Sequence, residues 1–265
     1  EHPILSAVHI LQDCEEQLRI GSLFSGIGGL ELGLERAILG AHTVWQVEKD
    51  EYARKVLAKH WPRVKRYNNV EQVGAHNLEQ IDLLCAGWPC QDISPAGKKS
   101  GLDGPKSGLW KEIRRIAGDL QPRYLVLENS SALLARGFGD VLGDLAALGY
   151  DAFWECIPAA SVGAPISGRG RDRIFIVAFA NSDRCLWSRL PREPGGELLA
   201  SVAGGDSAFT GIPSPAPNHW KDLPQVRRVS DGVSSRVDRI RCIGNAVVPQ
   251  VAELVGRLIV RMEEQ

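Results

Sequence analysis

Short apolar runs alternate with amphipathic stretches over the first 180 residues, which predicts an α/β chain with a largely parallel sheet. Residues 19–24 read as a strand, and the glycine-rich turn Ser25-Gly-Ile-Gly-Gly29 follows it. The spacing then predicts a helix to residue 39, a strand over 43–47 ending at Glu48, and a helix over 50–60. Trp61-Pro62 stops that helix, because the residue before a proline is pushed out of the helical region. Further on, 80–85 reads as a buried strand and 87–104 as a long polar loop. A helix over 107–120, an edge strand over 124–127 ending at Glu128, a helix over 138–148 and strands near 152–156 and 173–179 complete this half.

Beyond Asn181 the pattern breaks. Residues 181–225 are rich in Pro, Gly, Ser and Ala and have little periodicity, so they read either as a small irregular lobe or as a partly disordered insertion. Order returns at Val237. Over 246–262, Val247, Val251, Leu254, Val255, Leu258 and Ile259 fall at helical spacing, which predicts a last helix packed back on the sheet.

Composition adds mainly exclusions. With 31 basic and 32 acidic residues the net charge is −1, so any nucleic-acid surface must be a local basic patch. The six cysteines, Cys14, Cys85, Cys90, Cys156, Cys185 and Cys242, form no CxxC pair and no zinc spacing, so no metal is expected. Reduced, mostly buried thiols are the ordinary reading. No apolar run approaches the ~20 residues of a bilayer span. The N-terminal stretch is acidic and interrupted by charges, unlike a signal peptide, and a soluble cytoplasmic protein is expected.

Two features carry candidate chemistry. Strand, glycine turn and helix form a cradle in which backbone can approach a nucleotide-like cofactor closely. Glu48, at the end of the next strand, is placed to accept hydrogen bonds from ribose hydroxyls. A packing turn beside a solvated glutamate would look the same, since Phe24-Ser-Gly-Ile-Gly28 is neither a GxGxxG nor a P-loop. Trp88-Pro89-Cys90-Gln91 follows a buried strand, where a doubly wound sheet presents its chemistry. Cys90 is thus either a core thiol or a nucleophile activated by cations such as Lys98 and Lys99. Glu128 is either a capping acid or a proton donor sharing a cleft with Cys90, if their strands are neighbours.

In order, the chain carries LFSGIGGLELGL, VEKDEYARKVLAKHWP, LLCAGWPCQDIS, VLENS, GRGRDRIFIVA and RIRCIGNAVVPQ. This set resembles the cytosine-5 DNA methyltransferases of bacterial or phage type, over residues 19–179 and 226–262. The resemblance implies a Rossmann-like class I methyltransferase sheet with a small, irregular target-recognition lobe. It implies a catalytic S-adenosylmethionine-binding domain over 1–180, a short target-recognition region over 181–225, and a return segment with the C-terminal helix over 226–265. It implies that Phe24, Ser25, Gly26, Ile27 and Gly28 surround the methionine end of the cofactor and that Glu48 holds the ribose. Asn69, Val70, Pro89, Leu109, Asn245 and Val247 would complete the pocket. Cys90 would attack cytosine C6 and Glu128 would contact the N3 and amine edge; Arg171 and Arg173 match the two catalytic arginines of the family's Gln-x-Arg-x-Arg element, and Arg173 would help orient the cytosine. Duplex DNA with a flipped cytosine is the implied substrate, S-adenosylhomocysteine the by-product, and a monomer the implied state, with a cognate restriction enzyme as a possible partner.

The chain departs from the family's pattern in three places. Asn69 stands where the family usually has an Asp, which removes a charge near the adenine. Arg169 replaces the Gln of the Gln-x-Arg-x-Arg element, with extra residues 166–168 before it. The region 181–225 is short, which implies a short site, relaxed specificity or help from another chain. Within it Arg184, Trp187, Arg189, Arg192, His219, Trp220 and Lys221 are candidate DNA contacts, and core packing is an equal role for the tryptophans. Lys98, Lys99 and Lys106 are either phosphate contacts or solvated. Action on RNA, or DNA binding without catalysis, would leave a similar core; Cys90, Glu128, Arg173 and Asn245 together argue against the latter.

Overall fold

In order along the chain come β1 (Arg19–Leu23), α1 (Gly29–Ala37), β2 (His42–Val47), α2 (Glu51–His60) and β3 (Lys65–Tyr67). These belong to a computed structural model that describes residues 17–89, 109–162, 172–180 and 236–264. Next are β4 (Leu83–Gly87), α3 (Trp110–Leu120), β5 (Tyr124–Ser130), α4 (Phe138–Ala147), β6 (Tyr150–Pro158), β7 (Asp172–Ala180), α5 (Arg236–Asn245) and α6 (Pro249–Glu264). The seven strands form one sheet of order β3-β2-β1-β4-β5-β7-β6. β1 to β5 pair in parallel, and β7 inserts antiparallel between β5 and β6.

This is the doubly wound class expected from the sequence, with one correction. The strand that ends at Glu128 is not at an edge: β5 lies between β4 and β7. Apolar runs mark strands but not their direction, so the antiparallel β7 was not legible in the pattern. Its insertion puts Glu128 in the interior of the sheet.

Strand periodicity sorts the core onto two faces. Leu84, Ala86, Leu125 and Leu127 point toward α3 and α4, with Trp110, Ile113, Ile116 and Val141. Leu83, Cys85, Tyr124 and Val126 point the other way, toward α1 and α6, with Leu30, Leu34, Val251 and Val255. The close approach of α1 to α6 depends on glycine. A Cβ on Gly29 would lie 2.2 Å from the Val247 carbonyl oxygen, and one on Gly33 would lie 2.3 Å from that of Pro249. The stretch Arg241–Glu263 is apolar and long enough to cross a membrane by composition alone, which the apolar-run reading passed over. Its Val251, Leu254, Val255, Leu258, Ile259 and Met262 are instead buried in the core.

Other boundaries moved modestly. β4 begins at Leu83 rather than at residue 80. Before it, the Gln80 amide donates to the Leu120 carbonyl at 3.3 Å and the Asp82 carboxylate accepts from Arg19 N–H at 2.8 Å, so these side chains anchor a connection. The last helix, α6, begins at Pro249 rather than at residue 246, and α5, which the apolar pattern did not mark, precedes it over Arg236–Asn245. The region 181–225 and most of the 87–104 loop lie outside the described residues.

Candidate active site

The glycine turn is built by backbone that ordinary residues avoid. Phe24, Gly26 and Gly28 have φ of 55°, 56° and 88°; for Phe24, which carries a Cβ, this is a strained left-handed conformation. Ser25 N–H donates to the Val47 carbonyl at 3.2 Å and Gly28 N–H to the Ser25 carbonyl at 2.9 Å. Gly28 also packs under Trp61, whose ring would lie 2.4 Å from an added Cβ. The helix-stopping tryptophan therefore supports the turn as well.

Glu48 closes the turn from the next strand. One carboxylate oxygen accepts from Gly26 N–H and the other from Asp50 N–H, both at 2.7 Å. Each oxygen retains a second lone pair for an incoming hydroxyl. The Arg54 guanidinium donates to the Glu48 carbonyl at 2.9 Å and fixes the following bend. Outside the turn the space is open: a Cβ on Gly26 would meet nothing within 4 Å. An open glycine beside an anchored carboxylate at the carboxyl ends of β1 and β2 suits a nucleoside-bearing cofactor such as S-adenosylmethionine.

The second cluster lies at the ends of β4 and β5. Gly87 pairs with Glu128 in register, and a Cβ on Gly87 would lie 3.1 Å from Glu128 Oε2. Glu128 is 8% exposed and is paired with Arg173 of β7, Nε to Oε1, at 2.8 Å. The antiparallel register aligns Ser130 with Arg173 and Glu128 with Phe175. Asn129, on the opposite face, donates to the Trp88 carbonyl at 3.4 Å. β5 thereby steadies the backbone that leads into Pro89 and Cys90. Trp88 stacks obliquely on Trp110 at 5.4 Å, and the Trp110 indole donates to Asp144 at 2.8 Å.

Val247 joins the two clusters. Its carbonyl faces Gly29, and its Cγ2 would lie 3.8 Å from a Cβ on Gly87. Asn245 is exposed at the end of α5, and Leu109 is partly buried where α3 begins. The Asn69 side chain accepts from Glu71 N–H at 3.1 Å and caps a short turn. Val70, in that turn, is buried, and its carbonyl accepts from Arg115 at 3.0 Å. Cys90 and Arg171 lie outside the described residues, as do Arg169 and the lysines of the loop. Burial pushes the thiols of Cys85, Cys156 and Cys242 up, away from the thiolate.

Sequence reading missed three supports of the site. The Arg241–Asp50 ion pair ties α5 to the start of α2. The Asn129–Trp88 bond pairs residues far apart in sequence. A carboxyl group, Glu31, is fully buried under the turn. The Glu-Asn dipeptide was a signal for the second of these; nothing in the sequence marked the others. A hollow of about 560 Å³ lined by Glu35, His42, Thr43, His60, Trp61 and Arg63 lies at the start of β2, remote from Glu48 and Glu128.

A sequence model of the C-5 cytosine-specific DNA methylase family matches residues 18–195. The chain belongs to that family. Type II methyltransferase M2.BsuMI of Bacillus subtilis is 33% identical over 187 residues, covering 67% of this chain and 46% of that protein. Type II methyltransferase M.NgoBI of Neisseria gonorrhoeae is 34% identical over 164 residues, covering 60% of this chain and 50% of that protein. The chain thus spans about half the length of the curated relatives it matches. The crystal structure of a Spodoptera frugiperda DNMT2 superposes with a TM-score of 0.62 at 16% identity, covering 91% of this chain and 99% of that one. That likeness shows the methyltransferase fold.

Proposed function

We propose that this chain methylates carbon 5 of cytosine in DNA, with Cys90 as covalent nucleophile and S-adenosylmethionine as methyl donor. The observation that carries the reading is the buried Glu128–Arg173 pair beside Gly87, immediately ahead of Trp88-Pro89-Cys90. Cytosine C5 is a weak nucleophile within an aromatic ring. Addition of the Cys90 thiolate to C6, with Glu128 holding a proton at N3, converts the ring to an enamine whose C5 is nucleophilic. Arg173 orients Glu128 and, with Arg171, the base. After methylation, loss of the C5 proton and departure of Cys90 restore the ring.

The bound cofactor supplies an electrophilic sulfonium methyl and leaves as S-adenosylhomocysteine. Phe24 to Gly28 would receive its methionine end and Glu48 its ribose hydroxyls. Asn69, Val70, Pro89, Leu109, Asn245 and Val247 would complete the pocket. Atoms C5 and C6 are shielded in stacked DNA, so the base must be flipped out. The 181–225 region then selects the target, while residues 1–180 and 226–265 form the catalytic body. On this reading the chain acts as a monomer in the cytoplasm on duplex DNA, and a cognate restriction enzyme is a candidate partner.

The deciding experiment is transfer of labelled methyl groups to unmethylated duplex DNA, with tRNA as the competing substrate and Cys90→Ala as control. Transfer to DNA, and covalent trapping on DNA containing 5-fluorocytosine, is expected for the wild type alone. Transfer to tRNA but not to DNA would move the reading to RNA, and neither transfer nor trapping would remove it.

A further inference from the structure

Beneath the glycine turn lies a buried polar pair that the proposed chemistry does not use. Glu31, on the inner face of α1, and Gln46, on β2, are both 0% exposed. Gln46 Nε2 donates to Glu31 Oε1 at 3.4 Å. Among the described residues, Glu31 Oε2 and Gln46 Oε1 are buried acceptors without a donor. Two orphaned acceptors on one contacting pair is an expensive arrangement if Glu31 is ionised. A single proton on Glu31 Oε2 supplies the missing donor and turns the pair into an acid–amide couple.

The pair is wired to the turn. Ser25 Oγ donates to Ser22 Oγ at 2.8 Å, and both hydroxyls also bear on the Glu31 carboxyl. We propose that Glu31 is carried as a neutral acid paired with Gln46, and that it acts as a positioning residue whose ionisation draws the Ser22 and Ser25 hydroxyls from each other onto its carboxylate and so shifts the support of the cofactor turn. The second half of this proposal rests on the cofactor reading above.

The surroundings agree. Burial pushes the Glu31 carboxyl up to about 7, reinforced by Glu35 on the same helix and opposed by the Ser22 and Ser25 hydroxyls. From β4 it faces Cys85, itself pushed up by burial and by Glu31. On α6, Glu253 and Arg257 are paired with each other at 2.8 Å. Glu48 is engaged with backbone N–H groups on the far side of the turn.

The sign follows from linkage. The unfolded chain releases the Glu31 proton near the ordinary 4.5 and the folded chain near 7. The folded state therefore binds more protons in that window, and stability falls as pH rises through it.

The test uses the full chain and its Glu31→Gln variant, whose amide keeps the shape and donates permanently. Carboxyl ¹³C titration of the cofactor-free protein is expected to show one glutamate, absent from the variant, that ionises near neutrality. The wild-type affinity for S-adenosylhomocysteine is expected to weaken at least about fivefold from about pH 6 to about pH 8, with a flat profile in the variant. A Glu31 that titrates in the ordinary glutamate range, or a variant profile equal to the wild type's, overturns the proposal. A neutral Glu31 without any S-adenosylhomocysteine binding upholds the acid–amide pair but overturns the coupling, through failure of the cofactor reading.

Discussion

The two halves of the site are held together in different ways. At the glycine turn, Glu48 binds two backbone N–H groups, and β1, β2 and α1 lie close together in sequence. At the strand ends near Cys90, the defining contact is a side-chain ion pair between β5 and β7, strands separated by α4 and β6. A cradle fixed by backbone keeps its shape whatever is bound. A pair fixed by side chains can exchange partners when a base arrives. The first suits a cofactor that is always the same molecule, and the second a substrate that must be admitted and released.

That contrast is broken most sharply by substitutions in the second half. Glu128→Gln keeps the volume beside Gly87 but cannot donate a carboxyl proton. It is expected to slow methyl transfer by about 10²- to 10⁴-fold while S-adenosylhomocysteine affinity changes by less than about twofold. Single-turnover kinetics with calorimetry separate the two effects. A matched loss of affinity would mean that the halves are not distinct.

The same contrast governs what was legible in the sequence. The cofactor half is local: apolar runs, a glycine turn and Glu48 within one βαβ unit reveal β1, α1, β2 and α2 nearly to the residue. In the target half, Glu128 was legible as a residue but its surroundings were not, because strand direction leaves no mark on an apolar run. Helix α5 escaped notice because its RVDRIRCIGN sequence lacks an apolar stripe, and Ile243 is 65% exposed. Glu31 was hidden for the opposite reason. A glutamate on an amphipathic helix reads as a solvent contact, and only the packing of α1 against β1 and β2 shows it to be buried.

Stability probes the joint between the halves. Gly29→Ala sets a methyl group 2.2 Å from the Val247 carbonyl oxygen, a backbone atom that must shift to admit it. A loss of about 1–3 kcal/mol in urea unfolding is expected, the range for overpacking, together with weaker S-adenosylhomocysteine binding. Gly139→Ala, where an added Cβ meets nothing within 4 Å, is the matched control and should not destabilise. Equal effects at the two positions would show that the α5–α6 junction does not hold the turn.

Within the cofactor half, Glu48→Ala removes an acceptor from two backbone N–H groups. S-adenosylhomocysteine affinity should fall by about 1–3 kcal/mol, with the rate at saturating cofactor reduced far less than by Glu128→Gln. Calorimetry on the variant checks this, and unchanged affinity would remove Glu48 from the ribose site.

The smallest effect concerns the ion pair between Arg241 and Asp50 at the mouth of the cofactor half. Asp50 has two roles: it accepts from Arg241 and it caps α2, its carboxylate accepting from Ala53 N–H at 2.9 Å. The cap satisfies a backbone donor that the helix leaves unpaired, which is worth about 1 kcal/mol. The ion pair is half exposed on the arginine side, so solvent screening leaves it about 0–1 kcal/mol. Asp50→Ala should therefore lower stability by about 1 kcal/mol, and Arg241→Ala by a few tenths. Asp50→Asn keeps an acceptor for the cap while removing the charge, so it should behave like Arg241→Ala. If Arg241→Ala matched Asp50→Ala in urea titrations, α5 would be anchored by charge, and the cofactor half would depend on side-chain pairing as the target half does.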